Sequence, residues 1–202
     1  MRCRPAVRPA AHLALPVLLA VTAWAGSSAS AAPQRFQIDP DHTYPSFEAD
    51  HMGLSVWRGK FRRSAGEVWL DRAAGTGRVD LTVHTDSVDF GHPQMNAVAQ
   101  GPELLDTERH AWARYEGELV DWQDGRPTRV AGQFTLRGIT RPLTLTVLRF
   151  ACRPHPLWRR EVCGADALAT FQRDDYGIDF GRSLGFDMAV QLRIQVEALA
   201  ER

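Results

Sequence analysis

Apolar and polar residues alternate with a period of two along most of this chain. Val79, Leu81 and Val83 alternate with Asp80, Thr82 and His84, and Tyr115, Gly117 and Leu119 alternate with Arg114, Glu116 and Glu118. Val130, Gly132, Phe134 and Leu136 share one face, opposite Ala131, Gln133 and Thr135. Leu143, Leu145 and Val147 alternate with Thr144 and Thr146, and Ala165, Ala167 and Ala169 share a face further on. The last run is the longest: Met188, Val190, Leu192, Ile194 and Val196 oppose Ala189, Gln191, Arg193, Gln195 and Glu197. Successive side chains of a strand point to opposite faces, so each run predicts a strand with one buried face.

Turn chemistry separates the runs. Ala74-Gly75-Thr76-Gly77 lies between two of them and Gln123-Asp124-Gly125-Arg126-Pro127 between two more. Asp-Gly favours the tight turns whose twist matches a hairpin. Two stretches read as helical: Gln100 to His110, which carries Leu104 and Leu105, and a shorter one around Arg182 to Gly185. The expected fold is all-β, with roughly eight to ten antiparallel strands and one or two short helices. Such strands hide their edges by closing into a barrel or folding into a sandwich. Short connections favour an up-and-down barrel. The alanine face would leave room for a guest inside it, although the same alanines would also suit a packed neighbour.

The amino terminus follows another rule. Arg2, Arg4 and Arg8 precede an apolar run from Leu13 to about Gly26, followed by small residues from Ser27 to Ala32. That order is the layout of a secretory signal peptide, with Ala29 and Ala31 at the small-residue positions before a cut. Residues 1–31 are therefore expected to be removed, leaving one domain over 32–202 in the periplasm or outside the cell. The apolar run is shorter than the roughly 20 residues a membrane-spanning helix needs. The chain has 24 basic and 24 acidic residues, and loss of the three leader arginines leaves 21 against 24. Nothing in that balance makes a basic footprint for nucleic acid. Cys3 goes with the leader, and Cys152 and Cys163 remain, eleven positions apart across an expected hairpin. In an oxidising compartment that pair predicts a disulfide; a free thiol or metal-binding pair is the alternative.

No catalytic constellation emerges. His42, His51, His84, His92, His110 and His155 lie outside the leader, and no two stand at the spacing of a metal-binding helix or strand pair. No serine sits in a Gly-x-Ser-x-Gly elbow and no glycine loop is built for phosphate. Neighbouring carboxylates such as Asp174-Asp175 read as solvated turn residues. No metal, no required cofactor and no enzymatic residue is expected.

Three segments carry a family resemblance. They are Ile38-Asp39-Pro40-Asp41-His42-Thr43 with Phe47 and His51-Met52-Gly53-Leu54-Ser55 up to Phe61; Leu136-Arg137-Gly138-Ile139-Thr140-Arg141-Pro142-Leu143; and Arg173-Asp174-Asp175-Tyr176-Gly177-Ile178. In order and spacing they resemble the YceI-like proteins of the bacterial periplasm, over about residues 35 to 199. The resemblance implies an extended lipocalin-like antiparallel barrel with a short helix over one side. It also implies a polyisoprenoid or other long apolar ligand inside, often a homodimer, and no catalysis. One departure is the stretch from Asp89 to Asp106, which lacks the arginine-led segment common in the family.

On that reading the inward faces line an apolar tunnel. The expected lining is Val79 and Leu81; Leu143, Leu145 and Val147; Ala167, Ala169 and Phe171; and Val190, Leu192 and Ile194. His42, His51 and Arg58 are expected at the mouth, where they would meet the polar end of a bound isoprenoid quinone or polyprenyl lipid. Each of the three has an ordinary surface role as its alternative. Two rival functions are a cargo-free interaction protein with a filled barrel and an enzyme acting on a lipid-like substrate.

Overall fold

The computed structural model describes residues 32–201, so the leader expected over 1–31 lies outside the described residues. The strands are β1 (Gln34–Ile38), β2 (Tyr44–His51), β3 (Ser55–Phe61), β4 (Ser64–Asp71), β5 (Thr76–His84), β6 (Val88–Asp89), β7 (Trp112–Gln123), β8 (Arg126–Leu136), β9 (Ile139–Pro154), β10 (Glu161–Gln172) and β11 (Ala189–Ala200). One helix, α1, spans Pro93–Gln100. Several strands are consecutive pieces of one wall. β1 and β2 both pair with β11, through Ile38 opposite Ala198 and Tyr44 opposite Gln195. β3 lies on β2 while β4 lies on β1, and β6 follows β5 and pairs with β3. The eleven pieces therefore make an antiparallel barrel of eight walls, closed between its first and last strands. Closure removes the sheet edges that would otherwise template association.

The break between β1 and β2 is held by a buried hydroxyl. Thr43 is fully buried; its Oγ1 donates to the Glu197 carbonyl at 3.2 Å and accepts from the Glu197 N–H at 3.1 Å. Buried backbone groups must be paired, and Thr43 does this where the ladder is interrupted. At the β7–β8 turn, Asp124 and Gly125 have φ of 50° and 72°. Positive φ at both central residues is what the predicted Asp-Gly turn supplies.

The inward faces are those the alternation defined, with one addition at the barrel's waist. Gly117 and Gly132 stand opposite each other on β7 and β8. The Tyr115 ring fills the space above Gly132: a Cβ there would sit 2.7 Å from the ring and 2.4 Å from the Glu116 carbonyl. The Tyr115 hydroxyl faces the carbonyls of Val130 and Leu143, both at 3.1 Å.

The helix lies earlier than the sequence pattern predicted. Residues 100–110 form turns, and the helical segment is Pro93–Gln100. Pro93 occupies its first turn and the His92 ring accepts the Met95 N–H at 3.4 Å. Gly101 adopts an extended conformation, and the following Pro102 restricts it to that region, so the helix stops where it was expected to begin. The short helical turn at Arg182–Leu184 falls where expected. Cys152 and Cys163 are direct cross-strand partners on β9 and β10 and are joined by a disulfide. Among the described residues no helix is long and apolar enough to cross a membrane.

Candidate functional site

The barrel is hollow. A cavity of about 420 Å³ runs inside it, bounded at one end by Phe36, Phe150, Cys163 and Ala198 and at the other by Met95, Val98, Phe180 and Phe186. The second end is the mouth, where Val98 and Phe180 line the cavity and are also exposed to solvent. α1 and the turns after it lie across part of this end. They are tied down by the Arg137 guanidinium, which donates to the Leu104 carbonyl at 2.7 Å. The loop from 173 to 188 forms the other side, joined to the β2–β3 turn by the Asp187 N–H, which donates to Asp50 at 3.2 Å.

Ten of the eleven residues expected in the lining are in it: Val79 and Leu81 from β5, Leu143, Leu145 and Val147 from β9, Ala167 and Phe171 from β10, and Val190, Leu192 and Ile194 from β11. Ala169 is buried in the surrounding core instead. Its methyl is short, while its cross-strand partner Leu192 and its same-face neighbour Phe171 both reach the cavity. Sequence reasoning passed over the lining from β7 and β8, namely Tyr115, Leu119, Val130 and Phe134, although their alternation had already placed them inward. It also missed the aromatic groups near the mouth, Trp57, Phe90 and Phe186, which come from short strands and loops with too few residues to show a period.

Of the three mouth residues expected, one lines the cavity. His51 stacks on Trp57, with ring centroids 4.0 Å apart, and meets Phe186 edge-on at 5.1 Å. His42 does not line it. It sits in the turn between β1 and β2 with its Nδ1 2.9 Å from the Asp39 carboxylate, a contact that raises its pKa above the ordinary value. Arg58 does not line it either, because it lies on the barrel's outer surface and donates to Glu48 at 2.9 Å. Residues of one strand alternate sides: Trp57 points inward, so Arg58 must point outward.

The lining is apolar with few polar interruptions. Arg114 touches the cavity, but its guanidinium pairs outside with Asp80 at 2.7 Å and Glu116 at 3.0 Å. Asp50 accepts the Gly53 N–H at 2.9 Å as well as that of Asp187, and those bonds lower its pKa. Burial pushes the Tyr115 phenol well above its ordinary value, which keeps it neutral inside the barrel. Arg173 lines the mouth end and is buried. Among the described residues, one group of possible metal ligands is Cys152, Glu161 and Cys163, and there the two sulfurs are already joined to each other.

A closed antiparallel barrel around an apolar cavity with one open end is the lipocalin-like architecture. Its cavity lies within the usual 300–1,000 Å³ range of small-molecule sites. The chain belongs to the YceI-like domain family, whose pattern residues 36–198 match. A UPF0312 protein of Shewanella putrefaciens is 29% identical over 165 residues, covering 81% of this chain and 86% of that protein. One of Pectobacterium carotovorum is 28% identical over 178 residues, covering 87% and 90%. Among solved structures, Burkholderia cenocepacia BcnA superposes with a TM-score of 0.63 at 17% identity, covering 79% of this chain and 98% of that one. A polyisoprenoid binding domain from Saccharophagus degradans superposes with a TM-score of 0.60 at 17% identity, covering 82% and 98%. At these identities the superpositions establish the shared fold.

Proposed function

We propose that this protein is an exported carrier that holds a long apolar chain, of polyisoprenoid, isoprenoid-quinone or fatty-acyl type, inside its barrel. The cavity is the observation that carries the reading. A barrel filled by its own side chains would have none, and most of the residues that face this one, from Val79 on β5 to Ile194 on β11, are hydrocarbon. Each ligand methylene buried contributes about 0.8 kcal/mol. Ten would give about 8 kcal/mol gross, against association and ordering costs of several kcal/mol. Micromolar or tighter binding of a long chain follows, with affinity growing with chain length. The polyisoprenoid-binding neighbour of the same fold supports the ligand class. The leader-like amino terminus, a cysteine pair joined as a disulfide and the family's described location support export to the periplasm.

The test is native mass spectrometry of the protein purified from its own cell envelope, with solvent extraction of whatever is bound. A stoichiometric long-chain prenyl or acyl species is the expected result. A clean ligand-free mass, with no uptake of offered prenyl quinones or fatty acids, would remove the carrier reading and favour a cargo-free interaction protein.

A further inference from the structure

Among the described residues, one arginine of the lining takes part in no ion pair. Arg173, the first residue after β10, is 8% exposed and borders the cavity. Its Nη1 donates to the Ile178 carbonyl at 3.4 Å and its Nη2 to the Phe180 carbonyl at 2.8 Å. A guanidinium carries five N–H donors, so these two bonds leave three to place. Among the described residues no carboxylate lies within 4.0 Å of it, whereas the other arginine in the lining, Arg114, reaches two. The acidic groups that act on it do so without direct contact. Asp174 pairs with Arg182 through Oδ2 while its Oδ1 is buried without a hydrogen-bond partner, so this carboxylate offsets part of the Arg173 charge from beyond 4.0 Å, and Asp179 and Asp187 face solvent, where their field is screened. Asp50, across the mouth, already accepts two backbone N–H groups.

Burial disfavours this charge and lowers its pKa, while Asp174, Asp179 and Asp187 act from a distance to hold it up. A buried cation without a paired anion is costly, and a charge-assisted hydrogen bond from an incoming group relieves that cost. Two neutral carbonyls would be served as well by a neutral donor. The guanidinium therefore exceeds what bracing the 173–188 loop requires.

We propose that Arg173 is the end-group site of the cavity, and that it selects long apolar chains terminating in an oxyanion, a carboxylate or a phosphate, over the same chains with a neutral or cationic end. The inference rests on the carrier reading and adds polarity to it: the charged end sits at the mouth beside Arg173, and the hydrocarbon runs down the barrel towards Phe36 and Ala198. His51 and Trp57 lie at the same end and bound the space left for the end group. An arginine fork suits the flat carboxylate and the phosphate equally, so the two sources are separated by the choice of probes.

The experiment uses the delipidated protein and four probes of one chain length: palmitate, hexadecyl phosphate, hexadecanol and hexadecyltrimethylammonium. Binding is measured by displacement of a fluorescent fatty-acid analogue. One charge-assisted hydrogen bond gives palmitate, hexadecyl phosphate or both a preference over hexadecanol of ~10-fold or more, with the ammonium probe weakest. Whichever oxyanion binds more tightly names the class of end group. Arg173→Gln brings the ratio of acid to alcohol close to one. Because that variant also loses bonds to two loop carbonyls, the series on the unaltered protein carries the test alone if the variant fails to fold. Equal affinity for all four probes would overturn the inference and leave the carrier reading standing, as would an unchanged acid preference in a folded Arg173→Gln protein. Failure of every probe to bind would remove both.

Discussion

Replacing Ala167 by phenylalanine distinguishes a hollow barrel from a filled one by the sign of its effect. Ala167 lies on β10 between Val147 of β9 and Ile194 of β11, and all three line the cavity. In a close-packed interior, an added ring forces neighbours off their rotamers and costs about 1–3 kcal/mol. Here the ring enters existing space, and burying it contributes about 2 kcal/mol instead. For a domain of this size that raises the melting temperature of the delipidated protein by roughly 4–8 °C. The same ring takes the room of about four ligand methylenes at about 0.8 kcal/mol each, so a long chain loses about 3 kcal/mol of affinity, on the order of 100-fold. Differential scanning fluorimetry with and without palmitate reads both effects, because a ligand that binds only the folded state raises its melting temperature. A higher ligand-free transition together with loss of the palmitate-induced shift is expected. A lower ligand-free transition with the palmitate shift intact would refute the reasoning, since it would mean that Ala167 faces a packed core and that the ligand lies elsewhere.

Three further outcomes are expected. Reducing the Cys152–Cys163 disulfide opens a loop whose closure is worth about 3 kcal/mol on the chain-entropy account, read as a lower urea midpoint in the presence of reductant. Gly132→Ala places a methyl against the Glu116 carbonyl and the Tyr115 ring and should cost about 2–3 kcal/mol in urea unfolding, whereas a wild-type midpoint would show that the waist of the barrel yields. Tyr115 has its folded pKa raised by burial above the ordinary value of 10.0, so both states keep the proton below that pH and the unfolded chain releases it first above. Stability should therefore be insensitive to this group below pH 10 and fall as pH rises beyond it, by up to about 1.4 kcal/mol per pH unit. Part of that slope should disappear in Tyr115→Phe, as measured by urea unfolding from pH 9 to pH 11.

The period-two alternation determined the strands, the inward faces and most of the cavity lining, because a strand's side chains obey a local rule that neighbouring strands do not alter. Asp124-Gly125 marked its own turn for the same reason: positive φ is a property of those residues alone. The cysteine pair was legible because eleven residues across a hairpin bring two positions opposite each other. The tertiary structure decided what depends on neighbours. The helix was shifted because Gly101-Pro102 ends one at Gln100, while the His92 ring and Pro93 start it earlier. His42 and Arg58 were moved off the mouth because each belongs to an outward position with its own acidic partner, Asp39 and Glu48. Ala169 is left out of the lining because its methyl is short beside Leu192 and Phe171, which reach the cavity. The alternation of β10 did not reveal whether its alanines face a packed neighbour or empty space. Only closing the eight walls showed that the opposite side chains do not meet across the barrel. Arg173 was visible in the sequence as part of a motif. That it is a buried cation outside any ion pair among the described residues, at the open end of an apolar cavity, depends on where β10, the loop after it and the β2–β3 turn converge in space.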